Sequence, residues 1–177
     1  GDHFLGLPGL IQSMNFYGRT EPLEIYGPVG TLDLVGSVTT LGLFKLNFDV
    51  NGHNLMPGDV VRGDGYSVEC FKVKHTVPSL GYAFQEDQRP GRFDPEKAKA
   101  LGVREGPDFS RLVEGRSVNA GNGVVAPAMV MGPSRKGMRL VYSGDTAPCP
   151  ELEAACRDAD VLVHEATVTA DLEAKAR

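Results

Sequence analysis

The sequence is poor in cysteine, lacks an excess of positive charge and contains no long apolar run. Its three cysteines are Cys70, Cys149 and Cys156. An odd count without CxxC spacing excludes a disulfide framework and a thiolate zinc site, and points to a reducing compartment, hence the cytoplasm. No apolar stretch approaches the roughly 20 residues that span a bilayer, so no membrane partner is expected. The chain starts at Gly1 with no basic segment ahead of an apolar one, and an acid–histidine pair interrupts its first residues, so no secretory signal is expected. The net charge is −5. A nucleic-acid partner would therefore have to meet a local basic surface or a bound cation, because phosphate contacts need positive charge.

The 177 residues fit one domain with a substantial core, and a hydrophobic content of 41% is ordinary for a globular chain. Leu7, Leu10, Ile11, Met14 and Tyr17 form a stripe of helical period, which predicts a helix starting just after Asp2-His3 and stopping at Gly18. "PLEIYGP" predicts a strand and "VGTLDLVGSVTTLGL" a second helix, weakened by Gly36. Alternation of Phe44, Leu46, Phe48 and Val50 predicts a half-buried strand closed by a turn that holds His53 at the surface. "YSVECFKVKH" predicts a strand with Phe71, Val73 and His75 on one face, and "LGYAFQE" its neighbour. Residues 86–136, rich in Pro, Gly and charge, predict an excursion from the core with one helical piece near Pro95–Leu101. "MRLVYSGDT" predicts an apolar strand, "PCPELEAACRDA" a helix with Pro150 in its first turn, and "DVLVHEAT" a buried strand. Alternating strands and helices argue for a layered α/β domain.

The reactive residues stand at the ends of these elements. His75, Asp145 and His164-Glu165 each follow an apolar strand, and Asp2-His3 precedes a helix. Side chains at strand carboxyl ends are where α/β sheets build their sites. Histidine and carboxylate donors without thiolates suit a hydrolytic metal site that keeps a position open. Two metals about 3.5–4 Å apart clamp the attacking and leaving oxygens of a phosphoryl displacement and make hydroxide available near neutral pH. Each fragment also has a plain alternative. Asp2 is a good helix cap. His75 reads equally as a core histidine, and "SGDT" as a turn. The joint occurrence at four element ends favours one site.

Together these fragments resemble the metallo-β-lactamase fold family, and more narrowly the ribonuclease Z family. "GDHFLGLPGL" resembles the second half of the HxHxDH motif, "VKHTVPSLGYAF" the segment of an isolated metal-ligand histidine, and "VYSGDT" that of a bridging aspartate. "VLVHEAT" matches the HEAT box, and "GRFDPEKAKALGVREGP" resembles the GP-containing arm that grips tRNA outside the active site. The resemblance spans nearly all of the chain and implies a partial αββα sandwich over 1–177, with residues 86–136 as an inserted arm.

Residue by residue, the resemblance implies that Asp2 is the general base and a ligand of the second of two zinc ions. His3 would ligate that same ion, His75 the first, and Asp145 both. His164 and Glu165 would support the site from behind. On the arm, Arg89, Arg92, Lys97, Lys99, Arg104 and Arg111, with Gly106 and Pro107, would bind substrate. From Arg89 to Arg116 there are seven basic residues against five acidic ones, a small excess on an acidic chain. The implied activity is removal of the 3′ trailer from precursor tRNA by a homodimer. The HxH pair expected ahead of Gly1 and the last ligand region expected after Arg177 are not in the sequence, so the segment by itself is expected to bind zinc poorly and to be inactive. Two alternatives remain open at this stage: a hydrolase of small esters or phosphodiesters on the same fold, and a non-catalytic RNA-binding or dimerisation domain.

Overall fold

Pro8 sits in the first turn of the first helix, where its missing N–H costs nothing, and Gly18 ends it with a φ of +81° that a side chain would oppose. The computed structural model in which this is seen describes residues 3–41, 45–121 and 123–167. The chain divides into two compact units, one of Gly1–Gln85 with Arg139–Arg177, the other of Glu86–Met138.

The larger unit begins with α1 (Leu7–Phe16), β1 (Leu23–Gly27), α2 (Thr31–Thr40) and β2 (Val50–Asn54). β1 and β2 pair in parallel, Leu23 opposite Val50 and Gly27 opposite Asn54. α2 packs on both strands and on α1. The packed face joins Ile11, Val38 and Phe48, with Leu7, Met14, Leu23 and Ile25 against them. The predicted strand over 44–50 is displaced: β2 starts at Val50 and runs through Gly52 and His53, which the sequence reads as a turn. Phe44 lies outside the described residues. The displacement has a packing cause. A Cβ at Gly52 would stand 3.0 Å from the Leu32 backbone, so the glycine permits close approach of strand and helix rather than a turn.

β3 (Val60–Gly63), β4 (Tyr66–Lys72) and β5 (Leu80–Glu86) follow. β3 and β4 form an antiparallel hairpin closed at Asp64-Gly65, Gly65 having a φ of +77°. β3 has too little alternation to stand out in the sequence. β4 ends at Lys72, earlier than predicted, and His75 lies beyond the strand.

In the smaller unit lie α3 (Pro95–Ala100), α4 (Pro107–Val113), β6 (Val118–Ala120), β7 (Gly123–Val125) and α5 (Pro127–Val130). The helix predicted near Pro95–Leu101 is α3, capped by the Asp94 carboxylate on the Lys97 amide at 3.0 Å. The remainder is more ordered than its composition suggests. Ala98, Val103, Leu112, Val118, Val125 and Val130 are buried together, with Phe93 and Phe109 packed beside them. Few, scattered apolar positions suffice because they converge from five short elements.

Back in the larger unit, β8 (Arg139–Tyr142), α6 (Pro150–Ala155) and β9 (Val161–Val163) complete the described elements. The larger sheet has the order β3-β4-β5-β8-β9. β8 runs antiparallel to β5 and parallel to β9. α6 packs against β4, and its Leu152 joins Ala83, Val141 and Cys149 in a second buried cluster. β9 corrects a prediction: Val161, Leu162 and Val163 are each more than 40% exposed. An apolar run marks a strand but not its place in the sheet, and β9 lies at one of the two edges of the sheet as described, β3 at the other.

Candidate active site

Asp145 stands in the turn that leaves β8. Gly144 ahead of it has a φ of +61° and lies close to the Leu80 carbonyl, which leaves no room for a side chain. His3 lies in the turn before α1. Its Nε2 is 2.8 Å from Asp145 Oδ2. His75, just past β4, lines the same cavity as His3 and Asp145, with a volume of about 460 Å³. The cavity wall is otherwise largely apolar, including Leu7, Ile25 and Val77, with Tyr82 and Tyr142 beside Asp145's turn. Burial pushes the Tyr82 phenol above its ordinary range, so it remains a neutral donor.

Asp2 lies outside the described residues. Three of the four predicted ligands therefore share one cavity and two are in contact. Among the described residues, no three His, Cys, Asp or Glu side chains stand close enough together to hold a metal ion by themselves. The donors in contact, an imidazole nitrogen and a carboxylate oxygen with no thiolate, fit a hydrolytic divalent ion in kind. No cysteine lines the cavity. Burial raises the Cys70 thiol, which donates to the Met56 carbonyl at 2.9 Å.

His164 and Glu165 do not line the cavity. His164 is exposed, its Nδ1 2.6 Å from the Glu165 carbonyl. Glu165 faces the Asp145 turn: its Oε1 accepts the Thr146 amide at 3.2 Å, and its Oε2 accepts the Thr167 hydroxyl at 2.6 Å and amide at 3.1 Å. The hydroxyl bond is the leading cause that holds the Glu165 carboxyl below its ordinary value. Sequence reasoning missed Ser143 and Thr146, which are buried at 0% and 5% exposure. Their signal was present, two hydroxyls flanking an aspartate after an apolar strand, but it does not differ from a turn sequence.

In the smaller unit, Gly106 and Pro107 open α4, the glycine with a φ of +108°. Lys99 bridges Glu105 and Glu96, which raises its pKa, Glu105 contributing most. Arg89 pairs with Glu86, Arg111 with Asp108 and Arg116 with Glu114. Arg92, Lys97 and Arg104 are exposed and have no carboxylate partner among the described residues.

Comparison with known proteins defines the class first. The chain superposes on a metallo-β-lactamase fold protein from Bacillus subtilis with a TM-score of 0.52 at 15% identity, covering 96% of this chain and 47% of that one. It superposes on the short form of human tRNase Z with a TM-score of 0.60 at 23% identity, covering 99% of this chain and 57% of that one. At those identities the likeness shows the fold, and the fold is that of the metallo-β-lactamases. No family model matches. Sequence relatives are more specific. Ribonuclease Z of Methanosarcina acetivorans is 52% identical over 164 residues, 93% of this chain and 54% of that protein. Ribonuclease Z of Methanothermobacter thermautotrophicus is 46% identical over 176 residues, 99% of this chain and 57% of that protein. Ribonuclease Z of Myxococcus xanthus is 45% identical over 176 residues. The chain spans a little over half the length of these relatives, and over that span it is 45–52% identical to proteins named ribonuclease Z.

Proposed function

We propose that the protein is a metal-dependent endoribonuclease that removes the 3′ trailer of precursor tRNA. The observation that carries this is the meeting of His3 and Asp145 at 2.8 Å, with His75 in the same cavity, in a chain about half identical to a ribonuclease Z. Asp145, His3, His75 and Asp2 would hold two zinc ions. Metal there supplies charge neutralisation at the phosphodiester and an activated water. Asp2 takes a proton from the attacking water. Asp145 fixes His3 across the cavity mouth, and the apolar wall around Leu7, Ile25 and Val77 limits competing water. Glu165 acts from behind, through the Asp145 turn.

Residues 86–136 form the arm that binds the tRNA body, using Arg92, Lys97 and Arg104, with Arg89, Lys99 and Arg111 contributing while they exchange carboxylate for phosphate. The excess of unpaired cations supports this on a chain of net charge −5. Two copies pair, a reading supported by exposed Leu10, Phe16 and Tyr17 on and just after α1 and Leu32 on α2. The protein works in the cytoplasm, in keeping with three free cysteines. No helix among the described residues is long and apolar enough to cross a membrane.

The test is cleavage of a 3′-extended precursor tRNA by the full-length protein, with and without a chelator, beside Asp145→Ala. Loss of cleavage under both treatments is expected. Hydrolysis of a small phosphodiester without tRNA cleavage would refute the proposal.

A further inference from the structure

Thr146 follows Asp145 in the chain but does not line the cavity; its side chain is buried instead. Its Oγ1 accepts the Lys74 amide at 3.0 Å and donates to the Ala147 carbonyl at 2.7 Å. The Ala147 amide in turn donates to the Lys74 carbonyl at 2.8 Å, so Lys74 and Ala147 form an antiparallel bridge. The Thr146 amide donates to Glu165 Oε1 at 3.2 Å. Thr146, the residue after Asp145, is therefore bonded to Lys74, the residue before His75, and to Glu165, the acid that follows β9.

On the other side of Asp145, Ser143 repeats the pattern. Its amide donates to the Val163 carbonyl at 3.0 Å, and its Oγ accepts the Glu165 amide at 3.2 Å and donates to the Gly144 carbonyl at 2.7 Å. Asp145 thus stands between two buried hydroxyl residues, and both are bonded to Glu165, Ser143 through its hydroxyl and Thr146 through its backbone amide. A valine of the same shape would fill the space of Thr146, but it would lose the bond to the Lys74 amide and leave the backbone bond from Ala147 to Lys74 to join the His75 segment to the Asp145 turn.

We infer that Thr146 is a positioning residue: its hydroxyl sets the Asp145 turn and the His75 segment in register for metal binding, with Glu165 as the anchor. The inference rests on the metal-dependent nuclease reading. Its chemistry is that of an outer partner orienting a ligand, whose loss characteristically weakens metal binding ~10–100-fold.

The experiment compares Thr146→Val, Thr146→Ala and Thr146→Ser with the unsubstituted protein, each in the full-length chain. It measures zinc affinity by competition with a chromophoric chelator, kcat and KM on precursor tRNA, and the thermal midpoint in excess chelator. Thr146→Val is expected to weaken zinc binding ~10–100-fold and to lower kcat while KM stays within about threefold. Thr146→Ser keeps the hydroxyl and should restore zinc affinity to within about threefold of the unsubstituted protein. Should the valine variant fold poorly, the alanine variant reads the same loss without the added methyl. Zinc affinity and kcat unchanged in both loss variants would overturn the inference. So would a serine variant as impaired as the valine one, since packing alone would then explain the effect. An unsubstituted full-length protein that neither binds zinc nor cleaves precursor tRNA would overturn the nuclease reading and this inference with it, whereas an active full-length protein unaffected by Thr146→Val overturns the inference alone.

Discussion

His3 Nε2 and Asp145 Oδ2 stand 2.8 Å apart although they belong to opposite ends of the chain. His3 precedes the first helix and Asp145 leaves the fourth strand of the larger sheet. Both residues line the cavity on which the proposed chemistry depends.

Removing the carboxylate should show this directly. Asp145→Ala is expected to reduce precursor-tRNA cleavage by more than ~100-fold, the upper range for loss of an outer partner, because Asp145 would touch the ions themselves. The check is single-turnover cleavage by a variant whose circular dichroism matches the unsubstituted protein.

The smaller unit depends on a few residues. Leu112 is fully buried among Ala98, Val118 and Val130. Leu112→Ala should destabilise that unit by about 2–5 kcal/mol, the range for a buried leucine that leaves a cavity. Urea unfolding followed by hydrogen exchange at the amides of 86–138 would measure it, with little change expected in the larger unit.

Gly91 is a second point of sensitivity. A Cβ there would collide with the Gly132 carbonyl, backbone that cannot swing away. Gly91→Ala is expected to cost about 1–3 kcal/mol, as overpacking does. A thermal midpoint equal to that of the unsubstituted protein would contradict the close approach.

A pH dependence follows from Glu24. Its carboxylate accepts Asn51 Nδ2 at 2.7 Å and meets His53, whose ring stacks on Tyr26 with centroids 4.6 Å apart. The Asn51 bond leads, followed by His53, in lowering the Glu24 pKa below its ordinary value near 4.5. In the acid range the unfolded chain then holds more protons than the folded one, so this stabilisation is present above the ordinary carboxylate value and is lost as pH falls through the lower, folded one. The midpoint difference between the unsubstituted protein and Glu24→Gln should be largest above the ordinary carboxylate value and should shrink steadily as pH falls below it. A difference that does not shrink as the pH is lowered would assign the effect to something other than this carboxylate.

The arm cations divide by their partners. Arg92→Ala, Lys97→Ala and Arg104→Ala should each weaken tRNA binding and reduce the slope of log affinity against log salt by about one per phosphate contact. Arg111→Ala and Arg116→Ala should change the slope less, because Asp108 and Glu114 already neutralise them. Binding measured from low to moderate salt would rank the five.

By itself the sequence determined the local pieces: α1 from the spacing of Leu7, Ile11 and Met14, α6 from Pro150 and its apolar face, and the site candidates from acids and histidines at element ends. These are short-range properties, encoded in residue order and side-chain size. It misplaced β2, because Gly52 was needed for contact with α2 and a glycine beside an asparagine looks like a turn. It buried β9, because the position of a strand in a sheet is a long-range pairing. Only tertiary structure decided that Thr146 bridges Lys74 and Glu165, and that His3 reaches Asp145. Those contacts join segments distant in the chain, and nothing in the residues between them specifies which distant partner a buried hydroxyl or a carboxylate will meet.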